Sequence, residues 1–309
     1  MPRGGSLVCC HTKPAHVDNS RSLSALSLSR LQYDNVALCR QFGNFHWFFP
    51  LISVSLIITT YNWPSALNVV LRSVESQSVL PTEIIIADDG SGDNTVRLIN
   101  DWRGRLPLKH TWIRDDGFRV ARSRNAALLK ASCDYIIMVD GDCLMPSYFI
   151  EQHIKFAKPN MLVSGGRHLY DQATTSKLLS DNIHLPEQAF RALKFWSIPF
   201  GPLRNIGANN WKKVRTCNLG VWRHLALKIA GFDEAYVGWG KEDSDFVVRL
   251  IRSEGVRVRN GRFGVCVGHL DHVERSRDSL WANEERFIRN IHRSSPGTAS
   301  ESFSILVDL

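Results

Sequence analysis

Apolar runs alternate with amphipathic segments along the chain from residue 54 onward. Val54–Thr60 is a β-branched run that ends at a Tyr-Asn-Trp-Pro turn, and residues 64–77 then carry apolar side chains at spacings of three and four. Such spacing is typical of a helix that buries one face, and proline suits the first turn of a helix. The pattern therefore predicts a strand followed by a helix that packs on it.

The same alternation continues to residue 140 and then loosens. It predicts further strands at 83–87, 109–113 and 134–140, with helices starting near 93 and 120. Four strands separated by helices indicate a parallel sheet with right-handed crossovers. Later segments predict further strands and helices, namely strands at 161–170 and 256–267 and helices at 188–195 and 246–254.

The fold class that follows is α/β, with a mixed, mostly parallel sheet flanked by helices in a single domain at 49–275. Residues 276–309 are assigned to a C-terminal helix and tail, in which residues 279–292 have an amphipathic pattern. Residues 1–48 are rich in Ser, Arg and His and show little periodicity. We interpret them as disordered or as a spurious N-terminal extension.

Composition narrows the class of protein without naming an activity. The net charge of +8 suits a phosphate-rich ligand or an anionic membrane surface. The sequence lacks a basic stripe interleaved with aromatic residues, so nucleic acid binding is not predicted. The seven cysteines are odd in number and include no C-x-x-C pair, which favours a reducing compartment. No apolar run is long enough to span a bilayer. We expect a cytoplasmic protein, with peripheral association at the inner face of the membrane as an open possibility.

Two carboxylates follow the strand at 134–140. Asp140 and Asp142 flank Gly141, which leaves room for close approach of a ligand and for an unusual backbone angle. Ligands bind at the carboxyl ends of strands in open α/β sheets, and paired carboxylates suit Mg²⁺ or Mn²⁺ that carries phosphate oxygens. The motif predicts chemistry on a nucleotide diphosphate, and a surface turn is the alternative.

Two other strand ends carry side chains that suit a nucleoside. Thr59 and Tyr61 follow the first strand, where backbone groups and an aromatic face would hold a base. Asp88 and Asp89 follow the second strand and precede Gly-Ser. We assign Asp88 to the imide N–H of uracil and Asp89 to the turn, with an Asx turn and helix cap as the alternative.

Three arginines, Arg119, Arg122 and Arg124, precede or occupy the first turn of the helix near 120. Cations are disfavoured at that end of a helix unless an anion neutralises them. A diphosphate would do so, through helix N–H groups and guanidinium forks together. Ion pairs with Asp115 and Asp116 are the alternative for Arg119 and Arg122, whereas a ligand is favoured for Arg124.

A tryptophan between two glycines precedes an acidic helix start at residues 238–245. Trp239 offers a flat ring for stacking on a sugar, and a facing carboxylate, Asp243, would remove a proton from a sugar hydroxyl. Acidic residues in the first turn also favour the helix dipole, which explains Asp245 but not the Gly-Trp-Gly context. This segment therefore predicts an acceptor site.

His269 and His272 follow the strand at 256–267. Either would add a nitrogen ligand to a metal, with His269 favoured. A Cys/His/His zinc site is an alternative that lacks an apparent fourth protein ligand, and surface histidines are the other alternative.

In this order along the chain, these motifs resemble the family 2 glycosyltransferases of the GT-A fold, from Val54 to His272. The Gly-Trp-Gly-Lys-Glu-Asp stretch also looks like the acceptor segment of the β-1,4-galactosyltransferases and of chondroitin-polymerase-type enzymes. Asp140-Gly141-Asp142-Cys143, after an Arg-rich helix start, looks like bacterial enzymes that build lipopolysaccharide or capsule.

The resemblance implies a role for each donor-side residue. Thr59, Tyr61 and Asp88 would hold uridine, and Arg124 would meet the nucleotide or its phosphates together with Arg119. Asp140 would face the ribose and the donor sugar.

It also implies roles for the metal and the acceptor. Asp142, with His269, would bind Mn²⁺ or Mg²⁺. Asp243 would be the catalytic base, Glu242 would grip the acceptor, and Trp239 would be its platform. The domain would then consist of a nucleotide-sugar half at 49–145 and an acceptor and catalytic half at 146–275.

The expected activity is inverting transfer from a nucleotide-diphosphate sugar, with UDP favoured, to a hydroxyl of a glycan or glycolipid in bacterial surface polysaccharide or lipopolysaccharide synthesis. A loop at 205–213 would close over the donor. No Gln-x-x-Arg-Trp motif follows Asp243, which argues against processive polymerisation. The alternatives are a nucleotidyltransferase, whose usual Gly-rich loop is missing, and a non-catalytic protein that binds a sugar or nucleotide.

Overall fold

The computed structural model describes residues 52–180, 190, 210–262 and 264–292. The predictions for residues 1–48, for 188–195 apart from residue 190, and for most of the loop at 205–213 therefore lie outside the described residues. The described strands are β1 Val54–Thr60, β2 Glu83–Asp88, β3 Leu108–Trp112, β4 Tyr135–Asp140, β5 Cys143–Leu144, β6 Met161–Ser164, β7 Gly166–Leu169, β8 Asn218–Trp222, β9 Arg257–Asn260 and β10 Cys266–His269. The described helices are α1 Pro64–Glu75, α2 Asp93–Trp102, α3 Val120–Lys130, α4 Phe149–Phe156, α5 Gln172–Ser180, α6 Arg223–Lys228, α7 Glu242–Glu254 and α8 Leu280–His292.

The first half of the chain forms the parallel sheet that the alternating pattern predicts. The strand order is β3-β2-β1-β4, and each pair is parallel. Thr60 of β1 pairs with Asp88 of β2, and Thr59 pairs with Asp140 of β4. This register brings the polar residues at the three strand ends to one edge of the sheet.

The second half extends the same sheet with strands of mixed direction. β8 pairs antiparallel with both β4 and β6, and β9 pairs parallel with β6. The predicted mixed, mostly parallel sheet is therefore confirmed. The predicted strand at 256–267 is divided in the structure into β9 and β10, which belong to different sheets.

The predicted strand at 161–170 is also divided, at Gly165, into β6 and β7. A Cβ at Gly165 would lie 2.2 Å from the Asn218 side chain, so only glycine fits where the chain leaves the large sheet. β7 then joins a second sheet with the order β5-β10-β7. Because His269 of β10 pairs with Cys143 of β5, this small sheet places the histidine beside Asp142.

The core lies on both faces of the large sheet because successive side chains of a strand point to opposite faces. Leu56 and Ile58 pack with α1, whereas Ile57 packs in a second cluster that includes Phe246 of α7. All four of these side chains are fully buried, and each contributes about 1.5–3 kcal/mol by leaving water. None of the helices in the described ranges combines the length and apolarity needed to cross a membrane.

Candidate functional site

A cleft of about 1480 Å³ opens at the carboxyl ends of β1, β2 and β4. Residues from distant parts of the chain line it, as expected at the edge of an open α/β sheet. The predicted site residues that line the cleft are Thr59, Tyr61, Arg124, Asp140, Asp142, Trp239, Glu242, Asp243 and His269. Asp88 and Arg119 do not line it.

Asp140 lies at the centre of the cleft edge. Its Oδ1 accepts a hydrogen bond from Thr59 Oγ1 at 2.8 Å and another from Arg124 at 3.2 Å. The N–H of Gly141 donates to the Thr59 carbonyl at 2.6 Å, and a Cβ at Gly141 would lie 2.6 Å from that same oxygen. Glycine is therefore required where the acidic turn crosses the end of β1. Burial raises the pKa of Asp140, and Arg124 opposes that rise.

Arg124 joins the two acidic segments of the site. It lies in α3 and is 4% exposed, and its Nη1 donates to Glu242 at 3.3 Å and to Asp243 at 3.2 Å, while Nη2 donates to Asp140. Burial opposes the charge of the guanidinium, but the three carboxylates together raise its pKa. One buried cation thus holds together carboxylates that are more than 100 residues apart in sequence.

Asp243 and Glu242 begin α7. The Oδ1 of Asp243 accepts a hydrogen bond from Thr216 Oγ1 at 2.7 Å, and its Oδ2 accepts one from the Thr216 N–H at 3.1 Å. Burial and the neighbouring Asp243 charge raise the pKa of Glu242 to about 8, against the effect of Arg124. Asp243 therefore has a fixed orientation toward the cleft, at a helix end where negative charge is favoured.

Trp239 lies in the turn before α7. Gly238 and Gly240 on either side of it have φ values of 74° and 110°, so the turn uses backbone conformations that other residues rarely adopt. The Asn283 amide donates to the Trp239 carbonyl at 3.3 Å and holds the turn against α8. Trp239 is 40% exposed and lines the cleft together with Asp243.

Asp142, His269 and His272 converge on one point. The Nε2 atoms of His269 and His272 lie 3.6 Å and 3.3 Å from the two carboxylate oxygens of Asp142, and the three ligand atoms all lie within 4.8 Å of one another. Burial opposes ionisation of Asp142, but the hydrogen bond from His272 and the nearby imidazoles lower its pKa. One carboxylate and two imidazoles suit a divalent transition metal, so of the two predicted ions this cluster fits Mn²⁺ better than Mg²⁺, which prefers oxygen ligands. The sequence favoured His269, and the structure brings both histidines to the cluster.

The second strand end differs from the prediction in the roles of its two aspartates. Asp88 is fully buried, and its oxygens are engaged by the Ser91 N–H at 2.7 Å and by His110 Nε2 at 3.0 Å. Asp89 lines the cleft, and its Oδ1 has no hydrogen-bond partner within the described ranges. Burial raises the pKa of Asp89 to about 6. The assignment of Asp88 to a ligand is corrected, because Asp88 makes the turn and Asp89 faces the cleft.

The assignment of Arg119 to a diphosphate also needs correction. Its Nη2 pairs with Asp116 at 2.8 Å and its Nε donates to the Asp116 carbonyl at 3.1 Å, so the side chain turns back along the chain. Its backbone N–H instead donates to Asp89 at 3.0 Å and positions that carboxylate. The alternative of a local ion pair is the one that the structure adopts.

The sequence did not predict a role for two of the residues in the cleft. Thr216 orients Asp243, and no motif marks it because a threonine before a strand is common. Arg275 lies over the Tyr61 ring, and its place three residues after His272 was the only signal available.

Comparison with known proteins places these residues in two matched segments. Residues 55–221, more than half of the 309-residue chain, match glycosyl transferase family 2. The chain belongs to glycosyl transferase family 2. Residues 207–275 also match the N-terminal domain of galactosyltransferase, and that segment contains Trp239, Glu242 and Asp243. The predicted resemblance of this segment to galactosyltransferases is confirmed.

Curated relatives of this family 2 member carry the names of glycosyltransferases. Validoxylamine A glucosyltransferase of Streptomyces hygroscopicus subsp. limoneus is 27% identical over 261 residues, which cover 78% of this chain and 56% of the relative. Chondroitin synthase of Escherichia coli is 25% identical over 233 residues, which cover 67% of this chain and 33% of the relative. The chain thus matches just over half of the first relative and a third of the second.

Solved structures share the fold. Residues 1–349 of S. aureus TarS in complex with UDP match with a TM-score of 0.56 at 16% identity, covering 79% of this chain and 67% of that one. Mannosyltransferase PcManGT from Pyrobaculum calidifontis, in complex with GDP-Man and Mn²⁺, matches with a TM-score of 0.53 at 17% identity, covering 83% and 68%. At such identities the likeness shows the fold alone, and the predicted GT-A fold is confirmed.

Proposed function

We propose that this family 2 member transfers a sugar, with inversion, from a nucleotide-diphosphate sugar to a hydroxyl of a glycan or glycolipid, and that the donor is a UDP sugar. The observation that carries the proposal is the bridge from Asp243 through Arg124 to Asp140, 3.2 Å on each side. It joins a carboxylate on the acceptor side to the acidic motif beside the Asp142 cluster. Bacterial surface polysaccharide or lipopolysaccharide synthesis is the setting that the sequence motifs favour.

In the proposed reaction the acceptor oxygen attacks the anomeric carbon of the donor sugar. The bond from that carbon to the diphosphate breaks, the acceptor proton passes to Asp243, and the nucleoside diphosphate leaves. Thr216 holds Asp243 by two hydrogen bonds, so the base does not have to be reoriented during the step. Trp239 stacks on the acceptor sugar and Glu242 binds a hydroxyl of the acceptor.

Donor binding uses the opposite wall of the cleft. Tyr61 stacks on uracil, and Asp89, which also lines the cleft, accepts the imide N–H. Thr59 orients Asp140 toward the ribose and sugar. Asp142, His269 and His272 would hold Mn²⁺ or Mg²⁺, which when bound would supply positive charge to the diphosphate. Two solved structures of the same fold hold UDP in one case and GDP-Man with Mn²⁺ in the other, which supports a nucleotide-sugar donor and a divalent metal for this chain.

The decisive experiment compares wild type with Asp243→Asn and with Asp101→Asn, an exposed control on α2. Purified proteins are given a panel of UDP sugars, Mn²⁺ and bacterial glycolipid extracts, and products are detected by mass. We expect Asp243→Asn to lower the rate of transfer by about 10²–10⁴-fold, because a positioned general base contributes that much. UDP binding by the variant should stay near wild type.

Three outcomes would contradict the proposal. Near wild-type transfer by Asp243→Asn would remove Asp243 as the base. Tight binding of UDP by wild type without transfer or donor hydrolysis, across the whole panel, would favour a non-catalytic binding protein. Release of diphosphate from a nucleoside triphosphate would instead favour a nucleotidyltransferase.

A further inference from the structure

Arg275 lies on the segment that connects β10 to α8, and this segment lines the cleft. Its guanidinium carbon is 5.0 Å from the centre of the Tyr61 ring and 5.5 Å from that of the Phe118 ring. Guanidinium groups stack favourably on aromatic faces, so the two rings hold the side chain in a defined place. Arg275, Tyr61 and Phe118 all line the cleft.

No carboxylate of the described residues makes an ion pair with Arg275, although the cleft is rich in them. Arg277, two residues later, pairs with Glu274 at 2.7 Å. Arg124, deeper in the cleft, is shared among three carboxylates. Arg275 therefore brings an uncompensated positive charge to the site, and its planar fork can bind an anion.

Geometry places this charge near both ends of the proposed donor site. The guanidinium lies over Tyr61, which is assigned to the nucleobase, and Arg275 is three residues after His272 of the metal cluster. Burial raises the pKa of Asp89 to about 6, and the positive charge of Arg275 is among those that oppose the rise.

A nucleotide donor must span these two places with its diphosphate. Two of the three arginines that the sequence offered for that task are engaged elsewhere, since Arg124 holds carboxylates and Arg119 pairs with Asp116. The third, Arg122, does not line the cleft. Arg275 has both the location and the free charge.

We propose that Arg275 is a phosphate-binding residue of the donor site. Its guanidinium contacts the diphosphate between Tyr61 and the Asp142–His269–His272 cluster and neutralises the leaving nucleoside diphosphate. This inference rests on the proposed function, because it requires a nucleotide donor in the cleft.

The test measures equilibrium binding of UDP and of uridine by wild type, Arg275→Ala and Arg275→Lys in the presence of Mn²⁺. We expect Arg275→Ala to weaken UDP binding by roughly 10- to 100-fold, the usual effect of a lost hydrogen bond to a charged group. Uridine binding should change by less than about twofold, because uridine lacks phosphate. Arg275→Lys should recover part of the loss, since it keeps the charge but not the planar fork.

Arg277→Ala is the matched control, since it removes the same charge from the same segment. Its UDP affinity should stay within about twofold of wild type, because Arg277 is already paired. Arg275 is exposed, so folding of the variants should be preserved, and thermal unfolding will confirm this.

Wild-type UDP affinity in Arg275→Ala would overturn the inference alone. An equal loss for UDP and uridine would also overturn it, because Arg275 would then support the base rather than the phosphates. Failure of wild type to bind UDP at all would overturn the proposed function together with this inference.

Discussion

Asp88 and Asp89 are neighbours in sequence, and a shift of one residue decides which side chain faces the cleft. Asp88 is the last residue of β2, and its side chain lies beside His110 of the neighbouring strand, 3.0 Å away. Asp89 lies one residue beyond the strand, where its N–H still donates to the Thr60 carbonyl at 3.0 Å. Since successive side chains point in opposite directions, only one of the pair can face the cleft.

At the residue scale we predict that uridine binding weakens as pH falls through about 6. Burial raises the pKa of Asp89 to about 6, so its carboxylate is protonated below that pH and accepts the uracil imide less well. About a tenfold loss of uridine affinity is expected between pH 7.5 and 5. Titration calorimetry measures this loss, and uridine is the ligand because it has no phosphate group that would itself change charge over this pH range. The charged groups that act on Asp89 are Asp115, Arg124 and Arg275.

Asp89→Asn is the control for this prediction. Its uridine affinity should be lower than that of wild type at pH 7.5 and should not change across the same pH range. A pH dependence that survives in Asp89→Asn would assign the titration to another group. Asp88→Asn should instead destabilise the fold, because it replaces one of two buried oxygens, which contact the Ser91 N–H and His110, with an NH₂ group.

At the scale of elements, a buried ion pair fixes the helix that carries Asp243. Arg249 and Asp245 pair within α7 at 2.7 Å, and Arg249 also donates to the carbonyls of Ile229 and Gly231. Asn290 of α8 donates to Asp245 at 2.9 Å. These contacts tie the start of α7 to the preceding loop and to α8, so the acidic first turn keeps its place in the cleft.

We predict that Arg249→Met destabilises the protein by about 3–5 kcal/mol, because it leaves Asp245 buried without its cation. Lys228→Met, which breaks the pair between an exposed lysine and Glu254, should cost no more than about 1 kcal/mol. Urea unfolding of both variants measures the difference. Equal free energies of unfolding for the two variants would show that the Arg249–Asp245 pair does not hold α7.

Elements of the first half were predictable because each strand and helix carries its own periodicity. The boundaries of β1, α1, β2 and α3 agree with the sequence pattern to within two residues. The division at Gly165 was missed, although Ser164, Gly165 and Gly166 interrupt the apolar pattern there. The steric reason for it lies in Asn218, which is more than 50 residues away.

At the scale of the whole molecule, the Asp142 cluster exists only because the small sheet forms. Cys143 of β5 pairs with His269 of β10, and residue 142 is thereby brought to within 3.6 Å of a histidine more than 120 residues away. A ligand held by both segments would join the two halves of the fold.

We predict that Mn²⁺ with UDP raises the unfolding temperature by roughly 5–10 °C at concentrations near 100 times Kd, and that a chelator removes this gain. His272→Gln should reduce the shift, because one nitrogen of the donor set is lost. Differential scanning fluorimetry measures both. A shift that is unchanged by the chelator would show that binding does not use a metal at this cluster.

By itself, the sequence determined the order of the elements in the first half, the family, and the residue types gathered in the cleft, because periodicity and short motifs are local properties. Tertiary structure alone decided which aspartate faces the cleft, that Arg124 bridges three carboxylates, and that both histidines meet Asp142. It also brought Arg275 to Tyr61. Those facts depend on side-chain direction and on contacts between residues far apart in the chain, which no local pattern records.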